Sequence, residues 1–261
     1  MARKRNHLNQ IVLGLEYYIR GLKIFWKLGL AYFLLFPLAF NVLLFVLGFI
    51  AVGDLSNGLV NMVNENLKLN ELEFWGAEGL GEALYWFVWL IHKIVYFFIF
   101  SILSGNIIMI FMSPVLAFLS EKVEKELTGQ SYPFRLKNFI RESLRGLLVA
   151  LRNMLLQIGF MILFFILGFI PLIGALVPFE IIISSSYFYG FSFLDFNNER
   201  KQVPISKSIS FMRQHKALVI ANGLPFTLVL LIPYVGGILA SFFSILSVIA
   251  ASASMTENEE F

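Results

Sequence analysis

Few side chains in this sequence are equipped for chemistry, and those few are charges set among apolar residues. Lys93 lies about 11 residues into the apolar run Ala83–Met112, where an ammonium costs several kcal/mol unless it is paired or hydrated. Two readings follow: an anion-attracting group on an aqueous path, or a helix-interior residue paired with Glu180 or an outer-loop carboxylate. Glu180 is the only acid in the two late apolar blocks, Asn153–Leu194 and Ala217–Met255, so it is read either beside Lys93 on a pathway or as a lysine's structural partner. Lys23 and Lys27 stand one helical turn apart in an amphipathic segment, suited to anionic lipid headgroups or a small anion. His92 would face about 100° away from Lys93 on a helix, so the two do not form one site. His7, His92 and His215 make no ligand pair, and the chain has no cysteine. Disulfides, thiolate catalysis and cysteine metal sites are therefore excluded, and no metal or cofactor is expected. No HExxH, no GxSxG and no paired intramembrane aspartates occur, so no enzyme is expected either.

The elements that must hold these residues are membrane elements. The chain is 58% hydrophobic and 14% charged, with a mean hydropathy of +0.78, against roughly 45–50% and 25% in soluble domains. Residues 8 to 27 set Leu8, Ile11, Val12, Leu15, Tyr18, Ile19, Leu22, Phe25 and Trp26 at spacings of three and four, with Glu16, Arg20, Lys23 and Lys27 opposite. This pattern predicts an amphipathic helix in the membrane interface. The uncharged run Leu28–Val52 exceeds the roughly 20 residues needed to cross a bilayer and is too long for a signal peptide's apolar region. Ala83–Met112 is a second spanning run. Ser113 and Pro114 then read as cap and first turn of a new helix, VLAFLSEKVEKELTG, closed by Gly129.

Charge sets the expected sidedness. Asp54, Glu65, Glu71, Glu73, Glu78 and Glu82 face only Lys68 in one segment, whereas the N-terminus, residues 113–152 and the connector 195–216 are basic. The positive-inside rule then puts both termini and the connector in the cytoplasm and the acidic segment outside. Each late block must leave and return on one side. GFIPLIGALV (168–177) and LLIPYVGGIL (230–239) supply the reversal, with Pro171 and Gly174 matched 62 residues later by Pro233, Gly236 and Gly237. Each block is thus a helical hairpin with an apolar bend. Such bends are expected as re-entrant tips buried against protein at membrane depth, because a turn in water is commonly polar. Paired Pro/Gly-broken segments are also a mark of repeat-built transport sites.

KLGLAYFLLFPLAFNVLLF, SPVLAFLSEKVEKELTG, LDFNNERKQVPI and the two Pro-Gly breaks, in this order, resemble the CysZ sulfate permease family and the wider superfamily that includes the etoposide-induced membrane protein. The resemblance runs from about Tyr17 to Ala251, and it implies an all-α fold of an interfacial helix, two spanning helices and two partly penetrating hairpins. It further implies a multi-pass bacterial inner-membrane protein that forms homo-oligomers and imports sulfate, with lipid and oxyanion as partners and no nucleic acid. Residues 1–261 are expected to form one such membrane domain. In the family a Gly-Leu-Arg-Arg sequence opens the first spanning helix and holds the sulfate. Gly29, Leu30, Ala31 and Tyr32 stand there in this chain, so the resemblance carries over the helix amides at Gly29 and Leu30 but not the guanidinium groups. Lys23 and Lys27 are the nearest substitutes. Two functions fit: a permease or channel for a small oxyanion, most simply sulfate, or a membrane-interaction protein that keeps the fold without transport.

Overall fold

A computed structural model describes residues 7–43, 105–130, 136–170, 174–232 and 235–257. No strand occurs among the described residues. The helices are α1 (His7–Lys27), α2 (Leu30–Leu43, opening with a 3-10 turn over Leu30–Leu34), α3 (Gly105–Thr128), α4 (Leu136–Leu167), α5 (Val177–Arg200), α6 (Ile205–Gln214), α7 (Lys216–Leu230) and α8 (Gly236–Glu257). The chain divides into two compact units, Met1–Pro37 with Ser101–Phe261, and Leu38–Phe100. Of the second, only the end of α2 is described. Lys93 and His92, like Pro171 and Pro233, lie outside the described residues.

α3, α4 and α8 are each long and apolar enough to cross a bilayer, and α1 with α2 qualifies as a broken fourth candidate. The protein is therefore an all-α membrane protein. α7, with 15 residues, is only about 22 Å long at 1.5 Å per residue, short of a hydrocarbon core of about 30 Å.

The two hairpins, α4–α5 and α7–α8, turn in the same way. Gly174 donates its amide to Ile170 O and Gly236 donates to Ile232 O, both at 2.8 Å. Ile170 N bonds Leu167 O at 3.0 Å, and its counterpart Ile232 N bonds Val229 O at 3.1 Å. A Cβ on Gly174 would strike Gly168 O, and one on Gly236 would strike Leu230 O, the carbonyl six residues earlier in each case. The 62-residue repeat is thus one turn built twice, with glycine where the chain folds back on its own backbone. At the bends expected to be buried, Gly236 is buried and Gly174 and Gly237 are half-buried, while Pro171 and Pro233 lie outside the described residues. Phe169, Ile170, Leu176, Ile232, Val235 and Ile238 are exposed. An apolar bend suits lipid, where no water is present to favour a polar turn.

The hairpins pack through α5 and α7, which cross at Gly190 and Gly223. A Cβ on Gly190 would overlap Val219 O, and one on Gly223 would overlap Ser186 O. Two backbones approach this closely only where small residues face each other. α1 lies along α7 and α8. Its apolar face divides: Tyr17, Tyr18, Ile24 and Phe25 turn inward with Gly14 and Gly21, while Ile11, Val12, Leu15, Ile19, Leu22 and Trp26 remain exposed. Periodicity alone merges these faces, because a helix between a protein wall and an apolar exterior needs apolar residues on both.

Two boundaries differ from the sequence reading. α3 runs without interruption through Ser113 and Pro114, and Ser113 Oγ donates to Ser143 O instead of capping a helix start. Burial of Met109, Met112, Leu116, Leu119 and Val123 on one side holds the helix together across the proline, offsetting the lost backbone bond. The connector also begins later than its polarity implies. α5 extends to Arg200, and Asp195, Asn197, Asn198 and Glu199 are buried. Gly129 does close α3, with φ 71°.

Candidate functional site

α1 ends at Lys27 and the chain restarts at Gly29, whose φ of 60° and ψ of 38° turn the next helix through 106°. No side chain caps that start. The first amides of a helix have no carbonyl partner within it and form its positive end, a natural anion seat. Leu30 and Phe33 are buried beneath the start, Tyr32 is half exposed, and Ala31 and Gly29 face outward.

The last turns of α3 lie against this junction and supply its charges. Lys27 Nζ is 2.7 Å from Glu126 Oε1, so a neighbouring carboxylate neutralises this lysine. One turn earlier, Lys122 Nζ donates to Tyr32 Oη at 2.6 Å. The same ammonium lies 5.3 to 5.5 Å from the ring centroids of Tyr32, Phe33 and Phe118, close enough for cation–π attraction. Lys122 has no carboxylate partner among the described residues. Sequence reasoning passed over it, because in SEKVEKELTG a lysine between glutamates reads as an ordinary solvated helix charge. Only the fold sets it on Tyr32. Lys23 is exposed and also has no carboxylate partner among the described residues. Glu180 is exposed in the first turn of α5, at the tip end of its hairpin, and Gly237 is half-buried at the other tip.

A second cluster, unforeseen from the sequence, closes the charged end of the bundle. Arg145 on α4 grips Asp195 with Nε and Nη2, both at 3.1 Å, and Glu199 with Nη1 at 2.7 Å. It also donates to Val203 O. Arg141 reaches the same Glu199 at 3.3 Å. Arg200 meets Glu124 of α3 at 2.6 Å and donates to Ser120 and Asn197. Ser208 on α6 donates to Asp195, and Ser252 on α8 donates to Ser120 at 2.7 Å. Five helices are thus tied at one end by LDFNNER and its partners. Buried ions need such multiple contacts to offset the loss of hydration.

A ladder of neutral polar groups continues from this cluster toward the tips. On α4, Asn153 donates to Ser192 at 2.9 Å, and Gln157 donates to Ser185 at 2.8 Å and accepts from Asn106 at 3.1 Å. Arg141, Arg145, Asn153 and Gln157 fall at multiples of four residues along α4, a row that winds gradually about the helix, from the half-exposed Arg141 to the buried Gln157. By contrast, the buried side chain of Asn222, where α7 meets α1, has no hydrogen-bond partner on either amide atom. Tyr18 bonds the Asn222 backbone carbonyl and Ser247 Oγ, the latter at 3.1 Å, and not the Asn222 side chain. Among the described residues no group of His, Asp or Glu could hold a metal ion.

Compared with known protein families, residues 17–240 match the model described as Sulfate transporter CysZ/Etoposide-induced protein 2.4.

Proposed function

The chain belongs to the family of sulfate transporter CysZ and etoposide-induced protein 2.4, and from that premise we propose that it is a permease or channel for a small inorganic oxyanion, with sulfate the first candidate. The observation that carries this reading is Lys122, an ammonium held on Tyr32 beside the uncapped helix start at Gly29. Ala31 and Tyr32 occupy the places of the family's arginines, and Lys122 returns one positive charge to the same turn from another helix. An ammonium binds as a point charge without the bidentate fork of a guanidinium, so weaker oxyanion binding is expected. Lys27 contributes less, because Glu126 neutralises it. The protein is proposed to carry out no covalent chemistry. We place it in the bacterial inner membrane as a homo-oligomer, with both termini and the 195–216 connector in the cytoplasm, on the grounds of charge distribution and family.

Labelled sulfate uptake into proteoliposomes tests the proposal. Lys122→Ala should weaken sulfate binding by roughly ten- to a hundredfold, the equivalent of one charge-assisted hydrogen bond of about 1.5–3 kcal/mol. Tyr32→Arg alone should not strengthen it, since the new guanidinium would face the Lys122 ammonium; Tyr32→Arg with Lys122→Ala should. An absence of oxyanion flux in the wild type, with no binding by either arginine variant, would remove the permease reading. A non-transporting membrane-interaction protein is the alternative, and the Lys27–Glu126 pair favours it by withdrawing one of the cations.

A further inference from the structure

Arg152 is the last charge on α4, and residues 153–167 after it hold no ionisable side chain. It therefore stands where the helix enters an uncharged stretch of about 22 Å. Leu155, Leu156 and Leu163, which share its side of the helix at three, four and eleven residues on, are exposed. Toward α5 the guanidinium is held in place. Its Nη1 donates to Asn153 Oδ1 at 3.0 Å, and its Cζ lies 5.4 Å from the ring centroid of Phe191. Tyr187, one turn before Phe191 on α5, meets the same ring edge-on at 6.4 Å.

A second guanidinium arrives from α6. Asn198 donates to Ser208 and Ser208 donates to Asp195, so α6 folds back along the end of α5, and Met212, one turn further, is buried. Arg213 follows Met212 and is exposed. The charges of Arg213 and Arg152 both act on the Tyr187 hydroxyl, which makes no hydrogen bond among the described residues.

Neither guanidinium has a carboxylate partner among the described residues. The chain offers none close by in sequence, since no acid occurs between Glu142 and Glu180 or between Glu199 and Glu257. Asp195 and Glu199 are already engaged by Arg145 and Arg141. Two cations and a free phenol donor, brought together from three helices without a countercharge, call for an anion from outside the chain. A guanidinium matches two phosphate oxygens at once, and basic sites between membrane helices suit phosphate headgroups. A soluble ion would make no use of the exposed leucines that continue from Arg152 along α4, whereas a phospholipid uses both parts.

We propose that Arg152, Arg213 and Tyr187 hold the phosphate of an anionic phospholipid whose acyl chain runs along Leu155, Leu156 and Leu163. The site shares no residue with the Gly29 junction and does not depend on the oxyanion reading.

Native mass spectrometry of the full-length protein in detergent, titrated with phosphatidylglycerol or phosphatidylcholine, tests the proposal. Wild type should bind phosphatidylglycerol more than about tenfold more tightly than phosphatidylcholine. Arg152→Gln and Arg213→Gln should each weaken phosphatidylglycerol binding about fivefold, as expected for one cation at an anionic headgroup, and together they should abolish the preference. Tyr187→Phe should weaken it about two- to tenfold by removing one donor. Lys201→Gln with Lys207→Gln removes the same charge from exposed positions of the connector and should leave the preference intact. Thermal unfolding checks each variant, and the exposed Arg213 together with Tyr187 carries the test should Arg152→Gln fail to fold. Equal binding of the two lipids by wild type, a preference that survives in the double arginine variant, or an equal loss in the lysine control overturns the proposal. So does displacement of phosphatidylglycerol by sodium sulfate or phosphate beyond that by sodium chloride of matched ionic strength, which would make this a seat for a free ion.

Discussion

Replacing Arg145 with methionine is the most demanding perturbation of the charged end. Arg145 satisfies Asp195 and Glu199 together, and all three side chains are largely buried, with 11%, 4% and 8% of their side-chain surface exposed. Methionine fills most of the volume but leaves two carboxylates without their principal partner. Breaking a buried pair by removing one member costs about 3–5 kcal/mol, because the remaining charge stays desolvated. In a chain of this size each kcal/mol moves the midpoint by roughly 2–4 °C, so thermal unfolding in detergent should fall by about 6–20 °C. Arg141→Met is the control. Its side chain is 48% exposed, and loss of an exposed pair should cost less than about 1 kcal/mol. The triple variant Arg145→Met, Asp195→Asn, Glu199→Gln should recover most of the loss, since removing the whole ion set also removes the cost of burying it. Were Arg145→Met to melt within a few degrees of wild type, or the triple variant to melt no higher than the single, the cluster would not hold the helices together by charge.

Gly190→Ala and Gly223→Ala should each reduce the yield of folded, monodisperse protein in size-exclusion chromatography, because the new methyl would meet backbone of the facing helix; overpacking of this kind costs about 1–3 kcal/mol or more. Gly159→Ala, where a Cβ meets nothing, should be neutral or slightly stabilising. Gly174→Ala and Gly236→Ala should lower the unfolding midpoint by similar amounts, since both methyls strike the carbonyl six residues back; unequal effects would deny that the turns are equivalent. Asn222→Leu should raise stability by about 1–3 kcal/mol by removing an unpartnered buried amide, and a fall in the same thermal assay would show that the amide is engaged.

The sequence by itself determined the class of protein and its punctuation. Hydropathy and charge identify a membrane chain, and the repeated Pro-Gly break marks two hairpins, because the bilayer tolerates few backbone solutions and glycine at a fold-back is a local steric necessity. Gly129 could be read for the same reason, since a left-handed helix end is decided within a few residues, whereas the left-handed turn at Gly29 appears only in the structure. Tertiary structure alone decided the rest. LDFNNER looks like a polar connector until Arg145, Arg141 and Glu124 arrive from other helices to bury it. Lys122 becomes a candidate only when α3 sets it on Tyr32, 90 residues away in the chain. Ile19 and Leu22 on α1 have the same chemistry as Ile24 and Phe25, yet the first pair faces outward and the second packs against the hairpin. Local residue pattern encodes the period of an element and the places where it must bend. Which charge meets which countercharge, and which apolar face meets protein, depends on contacts between residues far apart in sequence, and no local pattern carries them.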